Sequence, residues 1–139
     1  DWATPPVSTH KTMAEIVIIG HGGYAEGVRS NLEMVIGVPE SMHFLNFALG
    51  MERSELEAAL SALVEGLEGR EILFCVDLPG ATPFQLAAIR TAQNPGCCRT
   101  VVGLNPMAYM ELAMDTSGTP EDLAKHAMET TKDSVLLFP

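Results

Sequence analysis

The chain has 139 residues, of which 47% are hydrophobic and 19% charged, with a formal net charge of −10. This is a globular composition long enough to bury a core, and one domain is the simplest partition. The acidic balance excludes a sequence-independent grip on nucleic-acid phosphates and disfavours an anionic membrane surface, while a basic protein partner fits it.

Residues Asp1–Thr12 are rich in Pro, Thr and Ser and lack the apolar segment of a secretory signal. They read as a flexible N-terminal tail, a linker or a cloning remnant, with the domain itself spanning 13–139. Ile16–Ile19 is a continuous β-branched run, the pattern of a strand covered on both faces. After a glycine turn, Ala25, Val28, Leu32 and Val35 fall at helical spacing, and Gly37 with Pro39 closes that helix. Met42–Phe47 is a second strand, interrupted by His43 and Asn46. Ser54 and Glu57 have the spacing of a capping box, and Leu56, Ala59, Leu60, Leu63 and Leu67 mark one apolar face behind it.

Glu71–Val76 is a third strand and runs into Asp77. Beyond the turn Leu78-Pro79-Gly80-Ala81, Thr82 suits an N-cap and Pro83 the first helical position of a helix to Gln93. Arg99–Leu104 is a fourth strand, and Asn105-Pro106 opens a Met-rich helix to Met114. Thr119-Pro120 caps another, over 121–131. Ser134–Phe138 is a short, isolated apolar strand that needs a sheet edge, either its own or that of a second copy of the chain. The alternation predicts an α/β fold with an open, mostly parallel, doubly wound sheet in the order 2-1-3-4.

No apolar run approaches the roughly 18 residues of a membrane span. Cys75, Cys97 and Cys98 form neither a disulfide framework nor a four-ligand zinc pattern, which points to the cytoplasm. No cofactor or metal is expected. Gly20-His21-Gly22-Gly23-Tyr24-Ala25 formally matches a dinucleotide fingerprint. The acidic residue that should end the second strand is missing, however, and Phe47-Ala48-Leu49 stands there. His10, His43 and His126 lack metal-ligand spacing and read as surface or structural. Met107, Met110 and Met114 read as core or interface packing.

In the 2-1-3-4 order, ligands bind at the carboxyl ends of the first and third strands. His21 ends one and Asp77 the other. A carboxylate that accepts one imidazole N–H fixes the tautomer and leaves the other nitrogen a nucleophile. Gly22, Gly23 and Gly80 allow close backbone approach, two helix starts aim positive dipole ends at the crevice, and Thr82 adds a hydroxyl. These groups suit a phosphoryl acceptor. On the residues alone, a histidine that merely satisfies turn amides stands beside that reading, as does a capping role for Asp77.

Three motifs, Ile16 to Gly27 with Gly-His-Gly-Gly, Val76-Asp77-Leu78-Pro79-Gly80-Ala81-Thr82-Pro83-Phe84, and Val101-Val102-Gly103-Leu104-Asn105, come in a recognisable order and spacing. Together they resemble the enzyme IIA domain of the mannose family of the bacterial phosphoenolpyruvate-dependent sugar phosphotransferase system. The resemblance covers about Met13 to Phe138. It implies a cytoplasmic homodimer of α/β domains that exchange a C-terminal strand, here Val135–Phe138. It implies a transferase without a cofactor: His21 takes a phosphoryl group from the phosphocarrier HPr and passes it to enzyme IIB, the membrane components IIC and IID completing sugar uptake. Asp77 maps onto the orienting carboxylate and Thr82 onto the hydroxyl of the glycine turn. Gly22, Gly23, Gly80, Ala81 and Asn105 map onto the phosphoryl-binding surface or its rim. The sequence departs from the family pattern at Pro79, at Ala81 and in Asn105-Pro106-Met107, where the proline comes one position early. Two alternatives are a phosphorylation-sensing module of a transcription regulator and a non-catalytic small-anion-binding domain.

Overall fold

The structure is a computed structural model and describes residues 13–139. The expected tail over 1–12, with His10, lies outside the described residues. β1 spans Glu15–His21, and Ile16, Val17, Ile18 and Ile19 within it are fully buried. Because successive side chains alternate between faces, burial of all four requires cover on both sides. Each contributes about 1.5–3 kcal/mol relative to exposure. The other elements are α1 (Tyr24–Val35), β2 (Met42–Phe47), α2 (Arg53–Gly66), β3 (Ile72–Val76), α3 (Thr82–Gln93), β4 (Cys98–Val102), α4 (Pro106–Met114) and α5 (Pro120–Asp133). The sheet is parallel throughout and runs β2-β1-β3-β4, as predicted.

The alternation along β1 divides the core. Ile16 and Ile18 meet Ala25 and Leu32 of α1, Tyr109 of α4 and Leu123 of α5. Val17 and Ile19 meet Leu56 and Leu60 of α2 and Leu86 of α3. β1 and β3 are therefore adjacent strands whose following helices lie on opposite faces, and this opens a crevice at their carboxyl ends. At the amino end, the buried Glu15 carboxylate holds His43 Nε2 at 2.7 Å and Arg70 Nη2 at 2.9 Å. A buried charge needs such partners, and this pair ties β2 and the approach to β3 to the central strand. His43 is structural, as expected. Among the described residues, no helix is long and apolar enough to cross a membrane.

Two expectations need correction, and two others are narrowed to one of their alternatives. The capping box of α2 is Glu52 with Glu55, the Glu52 amide donating to Glu55 Oε1 at 2.7 Å. Ser54 already lies inside the helix, because the backbone leaves the extended region after Glu52. Ala81, not Thr82, is the N-cap of α3: its carbonyl accepts the first helical bond, from Gln85 N at 2.9 Å, and Thr82 and Pro83 follow it inside the helix. Of the Met-rich face, only Met110 packs on the core, while Met107 and Met114 are 49% and 70% exposed. Finally, Val135–Phe138 forms no strand on its own subunit's sheet, and these four apolar residues stand 72–93% exposed. Strand character without a paired edge has no ladder to complete it.

Candidate functional site

His21 is the last residue of β1, paired with Phe47 of β2 on one side. On the other side, Asp77 directly follows β3. Its Oδ2 accepts both the backbone amide of His21 at 2.8 Å and Nδ1 of the same residue at 2.9 Å. Its Oδ1 accepts the Leu78 amide at 2.9 Å. Burial opposes ionisation of Asp77, but the bonds from the His21 amide and ring and from the local backbone outweigh it, and the carboxyl titrates below the ordinary range. An ionised carboxylate can only accept, so Nδ1 carries the proton and a neutral ring keeps its lone pair on Nε2. The imidazole is 40% exposed and the carboxylate 12%. The Phe47 ring meets the imidazole edge-on at 5.8 Å.

The glycine turn is fixed from three sides. The amide of Gly22 donates to Phe47 O at 2.8 Å, so this amide is committed to the sheet rather than free for a ligand. Gly22 sits at φ +60°, a left-handed conformation that favours glycine. At Gly20 the constraint is steric: a Cβ there would come within 2.3 Å of the Tyr24 ring. The Tyr24 hydroxyl meets that of Tyr109, on α4, at 2.5 Å. Burial, opposed by this bond, pushes Tyr24 up to about 12, with Cys75 and Asp77 adding repulsion; burial also holds Tyr109 well above its usual value. Both tyrosines therefore stay neutral at the rear of the turn.

Opposite the histidine, Gly80 occupies φ +76°, and its carbonyl accepts Gln85 Nε2 at 2.9 Å. Arg53 Nη1 in turn donates to Gln85 Oε1 at 2.5 Å. Ala81 and the half-buried Thr82 complete this wall, and the Thr82 hydroxyl takes no part in capping α3. Asn105 follows β4 on the same edge of the sheet. Its Oδ1 caps α4 by accepting the Ala108 amide at 3.3 Å, while its Nδ2 donates to Ser134 Oγ at 2.9 Å. Asn105 is thus occupied in joining α4 to the end of α5. Arg29, on α1, pairs with Glu26 and Glu33 and lies over the Phe44 ring at 4.9 Å.

Sequence reasoning missed Asn46, whose Oδ1 caps α1 from the neighbouring strand by accepting the Glu26 amide at 3.1 Å. A polar residue one position before the carboxyl end of a mostly apolar strand was the available signal. It also missed the Arg53–Gln85–Gly80 brace and the Tyr24–Tyr109 pair, for which no local pattern exists. Among the described residues, no group of three or more His, Cys, Asp and Glu is arranged to hold a metal ion.

The fold and this site define a class: a doubly wound α/β domain that presents one carboxylate-oriented imidazole where two central strands end. A family model described as the PTS system fructose IIA component matches residues 15–128. The chain belongs to this family, the mannose-type enzyme IIA components of the sugar phosphotransferase system. It is 29% identical over 123 residues to the PTS system mannose-specific EIIAB component of Escherichia coli K12, covering 86% of this chain but 38% of that protein. Among solved structures, the phosphotransferase system component EIIA from Streptococcus agalactiae superposes with a TM-score of 0.81 at 27% identity, covering 91% of this chain and 98% of that one. The mannose/sorbose specific IIA subunit from Enterococcus faecalis shares the fold, with a TM-score of 0.79 at 22% identity over 92% of this chain and 96% of that one.

Proposed function

We propose that His21 is a transient phosphoryl carrier: Nε2 takes the group from phosphorylated HPr and delivers it to enzyme IIB, for coupled sugar uptake and phosphorylation. The observation that carries this reading is the 2.9 Å bond between His21 Nδ1 and Asp77 Oδ2, which leaves the Nε2 lone pair available. In the transfer, the donor's P–N bond breaks, its electron pair returns to the donor imidazole, and a new P–N bond forms at Nε2. The positive charge arising on the His21 ring is stabilised by Asp77. Little covalent chemistry is asked of the protein, and positioning with electrostatic stabilisation supplies the catalysis.

Other features support the same reading. The amino ends of α1 and α3 stand at this edge, where their dipoles favour an anion. Gly23, Gly80, Ala81 and Thr82 in the two turns are small, and the imidazole is 40% exposed. Leu49, Leu78 and Met107, each in a segment that follows the carboxyl end of a strand, are 101%, 52% and 49% exposed, apolar contacts suited to a protein rather than a buried small substrate. A cytoplasmic homodimer through Val135–Phe138 completes the proposal, with residues 13–139 as the working unit.

The test is incubation of the purified protein with phosphoenolpyruvate, enzyme I and HPr. Wild type should gain one acid-labile phosphate by intact mass, and His21→Ala none. Uptake without onward transfer to any enzyme IIB would favour the regulatory alternative. No uptake, with anion protection of the fold, would favour the binding-domain alternative.

A further inference from the structure

Cys97 and Cys98 lie where the chain enters β4, at the end of the sheet opposite His21. Their sulfurs are 3.7 Å apart. Cys97 is partly exposed and Cys98 buried, yet both line one open cleft together with Leu67, Arg70, Arg90 and Asn94. The peptide that joins them is held from both sides: Cys97 O accepts the Ile72 amide at 2.9 Å, and Cys98 N donates to Asn94 O at 3.0 Å. With that peptide plane held, the two Cα atoms are fixed, and the sulfur separation changes mainly through side-chain rotation.

That separation selects among the reactions open to a thiol pair. A disulfide requires sulfurs at about 2.05 Å and would have to twist the pinned peptide. Two thiolate bonds of about 2.3 Å to one tetrahedral centre span about 3.8 Å, close to the width observed. Among the described residues, no third His, Cys, Asp or Glu joins the pair into a metal-binding group, so a four-coordinate ion would find only half its ligands. A pyramidal centre with similar bonds needs a slightly narrower sulfur pair, which a small side-chain rotation supplies, and one that brings its own third substituent needs only two protein sulfurs.

We infer that Cys97 and Cys98 form a dithiol site for thiophilic trivalent metalloids, with monosubstituted organoarsenic(III) oxides as the ligand class. In the capture step, two S–As bonds form and the As=O bond breaks. The oxygen leaves as water with the two thiol protons, arsenic stays trivalent, and no oxidant or reductant is needed. Burial and the shared contact with Cys97 push the Cys98 thiol up to about 12, so this sulfur is poorly reactive alone and is captured as the second partner after Cys97.

The probe is phenylarsine oxide, added to the reduced full chain. Wild type should gain one phenylarsenic unit by intact mass. The adduct should survive excess glutathione, a monothiol, and be removed by dimercaptopropanol, a dithiol. Cys97→Ser should lose the glutathione-resistant adduct, since loss of the chelate costs on the order of 10²-fold in affinity. Cys75→Ser should keep it. Because Cys97 is partly exposed, its serine variant should retain the wild-type circular dichroism spectrum, which keeps the test independent of folding. A resistant adduct that persists in Cys97→Ser, or a wild type that gains none, overturns the inference.

Discussion

Asp77 Oδ2 accepts two hydrogen bonds from one residue, the main-chain amide of His21 and its ring Nδ1. The first bond holds the end of β1 against the end of β3, and the second sets the tautomer. Position and protonation of the imidazole are therefore governed by a single oxygen atom, and the other carboxylate oxygen, Oδ1, keeps the carboxylate from rotating by accepting the Leu78 amide.

Asp77→Asn should retain the fold and lose catalytic efficiency. The amide can still accept from the His21 amide, but it loses the charge that stabilises the ring as the P–N bond forms. Charge-assisted hydrogen bonds are about twice as strong as neutral ones. Rapid-quench measurement of phosphate uptake from HPr should show a rate lower by on the order of 10²-fold. A rate equal to wild type would remove Asp77 from the machinery.

The same carboxylate makes stability depend on acid. Its folded pKa lies below its ordinary value, so its contribution is present above the unfolded pKa, about 3.9, and is lost as pH falls through the folded value. Urea midpoints should therefore drop as acid is added below about pH 4. Asp115 and Glu121, also held low, act in the same direction, Asp115 through its bonds with Ser117 and Glu121 through those with Lys125 and Arg99. The Asp77 share is isolated by comparison with Asp77→Asn: the difference between the proteins should be full at pH 7 and should close in acid. A difference independent of pH would assign the effect to packing.

Much of this was legible in the sequence because each element carries its own signal. Ile16–Ile19 reads as doubly covered from β-branching alone, and Leu56, Leu60 and Leu63 expose the inner face of α2 by spacing. The His21–Asp77 pair, 56 residues apart, was legible because topology rather than local pattern brings two strand ends together. What escaped depends on tertiary contact with no topological rule behind it. Tyr24 and Tyr109, 85 residues apart, meet through helix packing that no periodicity encodes. The α3 cap was misplaced by one residue, because Ala81 can occupy an N-cap through its carbonyl with no side-chain signature at all. Val135–Phe138 has strand chemistry, but a strand is a property of two edges, and the sequence shows only one.

Gly20 is the place where the glycine turn has no slack. A Cβ would come within 2.3 Å of the Tyr24 ring, and that ring is anchored through its hydroxyl to Tyr109. Gly20→Ala should therefore destabilise the domain by about 1–3 kcal/mol through overpacking. In a Tyr24→Ala background the ring contacts disappear and only the Cβ contact at 2.8 Å remains, so the same substitution should cost less. The resulting coupling, read by chemical denaturation in a double-mutant cycle, should exceed about 0.5 kcal/mol. Additive effects would show that Gly20 is constrained by something other than Tyr24.

The last prediction concerns the C-terminal segment. Leu137 and Phe138 are each 93% exposed, and Leu136 84%. Leaving this many large apolar side chains in water is unfavourable at about 25 cal/mol per Å², and a strand-like segment relieves it by pairing with a free sheet edge. The chain is already anchored upstream, since Ser134 Oγ donates to Thr130 O at 2.6 Å and accepts from Asn105 Nδ2 at 2.9 Å. Truncation after Ser134 should therefore leave the thermal transition of the sheet and helices cooperative, because nothing in the sheet leans on residues 135–139. Sedimentation velocity should change instead, with full-length protein running as a dimer and the truncated protein as a monomer. An unchanged sedimentation coefficient per mass would place the subunit contact elsewhere, and a loss of cooperative folding would show that the segment supports its own domain.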